Sequence, residues 1–298
     1  MRVLRTPDER FADLPDFPYP PRYAEVGGLR VAYVEAGPAD GPVVLLLHGE
    51  PSWSFLYRHV IRVLADAGIR AVAPDLVGFG RSDKPADATE HTYARHIEWL
   101  RALALDELGL RDITVVGQDW GGLLGLRLAA EHPDRFAAIV AANTGLPTGE
   151  HEMPEVWWMF RRAVESAPTL DIGRFVQAGC RTELSPEVLA AYDAPFPDES
   201  FKVGPRTMPG LVPTSTDDPA SAANLAAWEV LRRWDKPFLT AFGDSDPITG
   251  PMAPILRKLV PGAAGQSHET LAGAGHFLQE DAGERLGEVV AAFVRGRT

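Results

Sequence analysis

One cysteine, Cys180, stands among 298 residues, so no internal disulfide forms. No Cys/His cluster has the spacing of a zinc site either. No apolar run approaches the roughly 20 residues that span a bilayer. Met1 to Phe11 alternates charged and apolar residues and lacks the unbroken apolar core of a signal peptide. Positive charge is scarce: 29 Lys and Arg face 41 Asp and Glu, a net charge of −12. That balance argues against a broad attraction to nucleic-acid phosphates or anionic lipid. Internal repeats and low-complexity tracts are also missing. These absences point to a cytoplasmic protein, monomeric or a small homo-oligomer, whose partner is a small neutral molecule and neither nucleic acid nor membrane.

What is present is an ordinary globular composition, 45% hydrophobic and 23% charged, enough to bury a substantial core. Short β-branched or leucine-rich runs alternate with helical patterns, which is how a mostly parallel sheet with covering helices reads. Val43–Leu47, Ile69–Ala73, Ile113–Val116 and Phe136–Ala141 are nearly all apolar, as strands buried on both faces are. Between them the spacing predicts helices over Tyr93–Leu108 and Gly121–Ala130. After Asn143 the rhythm breaks. Residues 145–227 hold many prolines and aromatic-bearing helical stretches and no convincing strand, so they read as a helical cap. Residues 1–144 and 228–298 then make up the main domain. It resumes with strands at Pro237–Phe242 and His268–Leu271 and closes with a helix from Gly283 to Val294. In such α/β sheets ligands collect at the carboxyl ends of the strands.

Four strand-end loops carry the chemistry. Gly117-Gln118-Asp119-Trp120-Gly121-Gly122 follows the third run and precedes a helix, the layout of a nucleophile elbow with Asp119 at the reacting position. Asp119 as a mere helix N-cap would not require glycines on both sides. His48-Gly49-Glu50-Pro51 follows the first run, where the backbone N–H of Glu50, with that of Trp120, would form an oxyanion hole. His48 itself reads as structural. Gly243-Asp244-Ser245-Asp246-Pro247 and Gly273-Ala274-Gly275-His276-Phe277 follow the last two strands and supply an acid and a histidine. His276 is the expected base, with Asp246 fixing its tautomer and Asp244 the competing acid.

Those motifs are similar to the haloalkane dehalogenases of the α/β-hydrolase fold, over nearly the whole chain. The resemblance rests on His48-Gly49-Glu50-Pro51 with Trp53 and Tyr57, on Asp75 to Pro85, on Gln118-Asp119-Trp120-Gly121, on Tyr192 to Asp198 and on His276 to Glu280. It implies a mostly parallel central sheet flanked by helices, with an inserted helical cap. It also implies a haloalkane and water as substrates, a released halide, and no cofactor or metal. One branch of the family has asparagine at the Glu50 position and a glutamate near Asn143. Here Glu50 and Asn143 stand instead, so the resemblance makes Asp246 the acid and calls for a second halide-binding tryptophan beside Trp120. Indole N–H groups suit a large, soft anion in a dry wall. Trp157 is the expected second ligand, with Trp158 the alternative and plain helix packing the role of the other. The rival enzyme, an epoxide hydrolase, would need two cap tyrosines, and only Tyr192 of six tyrosines falls there. A non-catalytic small-molecule binder on the same fold would not need Asp119, Asp246 and His276 together.

Overall fold

Strands that are apolar along their whole length must be covered on both sides, and this requirement organises the molecule. The computed structural model describes residues 1–297. Its strands are β1 (Val3–Leu4), β2 (Arg22–Val26), β3 (Leu29–Ala36), β4 (Val43–Leu47), β5 (Arg70–Pro74), β6 (Lys84–Pro85), β7 (Ile113–Gln118), β8 (Phe136–Ala142), β9 (Phe238–Gly243) and β10 (Glu269–Leu271). β1 and β6 form a short antiparallel pair. The others form one sheet in the order β10-β9-β8-β7-β4-β5-β3-β2. Neighbours from β10 to β5 run parallel, and β3 and β2 complete one edge antiparallel. Leu47 lies opposite Gly117, Gly117 opposite Ala141, and Ala141 opposite Thr240. The carboxyl ends of four strands are therefore level, and the loops that leave them converge.

The helices are α1 (Arg58–Asp66), α2 (Tyr93–Arg101), α3 (Trp120–Glu131), α4 (Glu155–Ser166), α5 (Ile172–Gly179), α6 (Pro186–Asp193), α7 (Val203–Leu211), α8 (Ser221–Leu231), α9 (Met252–Leu259) and α10 (Leu278–Arg295). α1 packs on α10, and α3 packs on β7, α2 and α8. Residues such as Leu46, Val116, Leu124, Phe238 and Leu286 are almost wholly buried between these layers. Each such aliphatic or aromatic side chain contributes about 1.5–3 kcal/mol.

The sequence-based elements land within a residue or two at the sheet centre, and the departures have physical reasons. The helix expected over Tyr93–Leu108 is α2 followed by a π-helical turn at Ala102–Glu107. The closing helix starts before Gly283: a first turn from Leu278 is offset from the body because Ala282 is non-helical (φ −146°, ψ 36°). Between β8 and β9 the described residues hold helices and no strand. α8 spans the expected boundary between positions 227 and 228, and it packs on α3. The hairpin of β2 and β3 was not anticipated.

Candidate active site

Asp119 stands between β7 and α3 with φ 50° and ψ −125°, a region costing about 1–3 kcal/mol for a residue with a side chain. The turn is so tight that a Cβ at Gly121 would lie 2.0 Å from the carbonyl oxygen of Leu47. Asp119 occupies the N-cap position of α3, yet its carboxylate caps nothing there. It faces away from the helix: Oδ1 accepts the N–H of Glu50 at 2.8 Å, and Oδ2 lies 3.6 Å from Nε2 of His276. The backbone around it is fixed, since Asp119 N–H donates to the carbonyl of Asn143 (2.9 Å) and Thr144 Oγ1 donates to the carbonyl of Asp119 (2.8 Å). Of the two N–H groups expected to form an oxyanion hole, only that of Glu50 reaches the carboxylate. The Trp120 N–H forms no hydrogen bond among the described residues.

His276 Nδ1 faces Asp246 Oδ2 at 3.2 Å, which places the imidazole proton on Nδ1 in the neutral ring and leaves Nε2 turned to Asp119. Burial alone would depress the histidine, but the carboxylates of Asp246 and Asp119 outweigh it and raise it to about 10. Burial would likewise raise Asp246. The His276 charge and bonds from Thr249 Oγ1 and Ile248 N–H prevail and hold it at about 2. Asp244 is exposed and binds the Gly273 N–H, so it shapes a turn and does not reach the histidine. His48 is fully buried and structural: its Nε2 accepts the Leu76 N–H at 2.9 Å, while Nδ1 lies 3.0 Å from the carbonyl of Gly49.

Two residues that sequence reasoning left without a role brace this arrangement. Asn143, at φ 40°, donates to the carbonyls of Gly275 (2.7 Å) and His276 (3.0 Å) and accepts the Gly243 N–H (2.8 Å). Together with the Asp119 N–H bond it ties three strand-end loops into one frame. Gln118 Nε2 also donates to the His276 carbonyl at 3.1 Å. Asn143 directly follows a buried strand, but its positive φ and its partners show only in the structure.

Above these loops lies a cavity of about 1100 Å³, with Glu50, Asp119, Trp120 and His276 on its floor and Trp157, Phe160 and Phe175 among its walls. Burial and the neighbouring Asp119 push the Glu50 carboxyl well above the usual carboxylate range. Three tryptophans line the cavity, and they differ. The Trp228 indole N–H is spent on the carbonyl of Leu146 at 2.8 Å, whereas those of Trp120 and Trp157 have no acceptor among the described residues. Trp158 packs edge-on against Trp157 and does not line the cavity. Among the described residues no tyrosine lines it, and the Tyr192 hydroxyl is engaged by Glu280. No His/Cys/Asp/Glu cluster among the described residues has the form of a metal site.

A strand-turn-helix carboxylate, a histidine and an acid in that chain order, on a sheet of this topology, define an α/β hydrolase. The family model described as the alpha/beta hydrolase fold matches residues 42–283. A haloalkane dehalogenase of Psychrobacter cryohalolentis is 52% identical over 99% of this chain and 98% of its own length. One from Mycobacterium marinum is 49% identical over 98% of this chain and 100% of its own. Among solved structures, the tetrameric haloalkane dehalogenase of Paraglaciecola agarilytica superposes with a TM-score of 0.90 at 38% identity, covering 97% of both chains. The chain belongs to the haloalkane dehalogenase family.

Proposed function

We propose that this enzyme, a hydrolase acting on carbon–halide bonds, works in two steps divided between Asp119 and His276. Asp119 attacks the halogen-bearing carbon in line, forming a C–O bond as the C–X bond breaks and halide leaves with its electron pair. No proton moves in this step. The observation that carries the reading is the placement of the Asp119 carboxylate: it is held by the Glu50 N–H, faces His276 Nε2, and lines the same cavity as Trp120 and Trp157, whose indole N–H groups are unspent. Trp120 and Trp157 would donate their indole N–H groups to the halide, charge-assisted hydrogen bonds that a largely apolar wall makes stronger than they would be in water.

Esterification removes the charge of Asp119, and with it part of what holds the His276 proton. Once neutral, His276 accepts a proton from water at Nε2 while Asp246 stabilises the imidazolium. The hydroxide attacks the ester carbonyl carbon, with the Glu50 N–H and, on closer approach, the Trp120 N–H holding the oxyanion. Collapse breaks the acyl C–O bond to the alkyl oxygen, which leaves as the alcohol with the proton of the added hydroxyl; Asp119 is restored as a carboxylate and the proton on His276 passes to solvent. The helices between β8 and β9 act as the cap that keeps bulk water from the first step. The substrate is a small haloalkane, the only cosubstrate is water, and the lone thiol of Cys180 suits a reducing cytoplasm.

Replacing His276 by phenylalanine tests the division. Incubation with 1,2-dibromoethane should release about one bromide per site, with turnover slowed by at least ~10²–10⁴-fold. Intact-mass measurement and peptide mapping should place a bromoethyl group on Asp119. An adduct elsewhere, or continuous turnover, would overturn the assignment.

A further inference from the structure

The cap segment Gly179–Thr182 is bound to the histidine loop more tightly than packing alone would require. The Gly179 carbonyl accepts the His276 N–H at 2.7 Å. Two residues further on, the backbone N–H groups of Arg181 (2.9 Å to either oxygen) and Thr182 (2.8 Å) converge on the carboxylate of Asp281, joined by the Thr182 hydroxyl at 2.6 Å. The same carboxylate accepts the Gly275 N–H through Oδ2 at 2.8 Å. Asp281 sits in the offset first turn of α10, just before the break at Ala282. It is therefore held by the main domain while it holds the segment. The approach is close enough that a Cβ at Gly275 would lie 2.5 Å from the Gly179 carbonyl, which accounts for a glycine directly before the histidine.

We propose that Asp281 is a positioning residue that fixes the His276 imidazole by joining Gly179–Thr182 to Gly275, so that cap placement and placement of the base are one event. Asp119 makes no direct bond to Asp281 or Gly275: Thr144 and Glu50 hold it independently, and its link to the histidine loop runs through Asn143, which does not touch Asp281. The inference rests on the two-step reading above and makes a prediction that the reading does not: loosening Asp281 slows ester hydrolysis and spares alkylation. Asparagine at 281 keeps one acceptor oxygen, but its amide nitrogen is a donor. It can satisfy either the Gly179–Thr182 side or the Gly275 N–H, and it presents a donor to a donor on the other.

The test is single-turnover mass spectrometry with 1,2-dibromoethane and excess enzyme, following the Asp119 adduct as it forms and decays. In Asp281→Asn, decay should slow by about 10-fold or more, since small misplacements of a reacting group cost on this scale. Formation should stay within about twofold of wild type. A role confined to stability would lower the melting temperature and leave the ratio of the two rate constants unchanged; that result, or a parallel loss in both steps, overturns the proposal. If the asparagine variant does not fold, Thr182→Val removes only the exposed hydroxyl donor and should slow decay alone by about 2-fold to 3-fold, a shift of well under 1 kcal/mol. Equal rate constants in that variant and wild type overturn the proposal as well. A wild-type enzyme that forms its adduct on a residue other than Asp119 would overturn the two-step reading itself, and the proposal with it.

Discussion

The floor and the walls of the cavity are built on opposite plans. On the floor the reacting side chains are held by directional bonds: Asn143 alone serves three strand-end loops, and Asp246 accepts from a ring, a hydroxyl and an N–H. The walls contributed by α4 and α5 offer rings and aliphatic chains with one free indole N–H, that of Trp157. A floor with few degrees of freedom fixes which bonds break. A wall held by non-directional packing can change shape with the substrate and still exclude water.

The comparison is broken most severely at Asp119. Asp119→Asn keeps the shape and loses the nucleophile, so halide release should fall by more than about 10⁴-fold with the fold intact. Substantial release from a variant verified as undeamidated would place the nucleophile elsewhere. Next comes the brace. Asn143→Ala should cost about 2–4 kcal/mol of stability, because it strands the Gly243 N–H and the Gly275 carbonyl and leaves the His276 carbonyl to Gln118 alone, and should slow turnover by roughly 10²-fold as the loops lose register. Denaturation and kinetics on one preparation check both; a stable variant with full activity would show that the loops hold themselves.

A wall substitution should act on halide and hardly on rate. Trp157→Phe keeps most of the bulk and removes one charge-assisted hydrogen bond, so bromide affinity should fall by about 10-fold to 100-fold, read by saturable quenching of tryptophan fluorescence. Trp158→Phe should stay within about twofold, since its ring supports Trp157 from behind. The reverse ranking would make Trp158 the ligand.

The pH dependence of stability comes last and leaves the bond-breaking step untouched. His276 is raised to about 10, so its share of stability is complete below its ordinary value near 6.5 and is lost as pH rises toward 10. Asp246 is depressed to about 2, so its share is present above about 4 and is lost as pH falls through 2. Asp246→Asn should flatten the alkaline limb of urea stability measured between about pH 6.5 and 10. An unchanged slope would show that the pair does not govern that limb.

The sheet centre was legible because residues buried on both faces leave a continuous apolar signature, and Val43–Leu47 is the clearest case. The β2 and β3 hairpin was not, since an edge strand such as Arg22–Val26 carries arginine and glutamate toward solvent. Its Gly27-Gly28 turn, with both residues at positive φ, was the signal to read. Asp119, Asp246 and His276 stood out because each follows a strand among small residues. Asn143 and Asp281 did not, because they bind backbone atoms of distant loops, and no local pattern records a partner about a hundred residues away or more.

The size of the cavity has a thermodynamic consequence. At roughly 30 Å³ per water, 1100 Å³ holds on the order of 30 molecules facing a largely apolar wall. A haloalkane entering it releases water in proportion to its length. Each added methylene then contributes about 0.8 kcal/mol, close to fourfold in affinity. Chain-length preference is accordingly set by how many methylenes fit before the far wall is reached, and the heat capacity of binding should grow more negative in step with them.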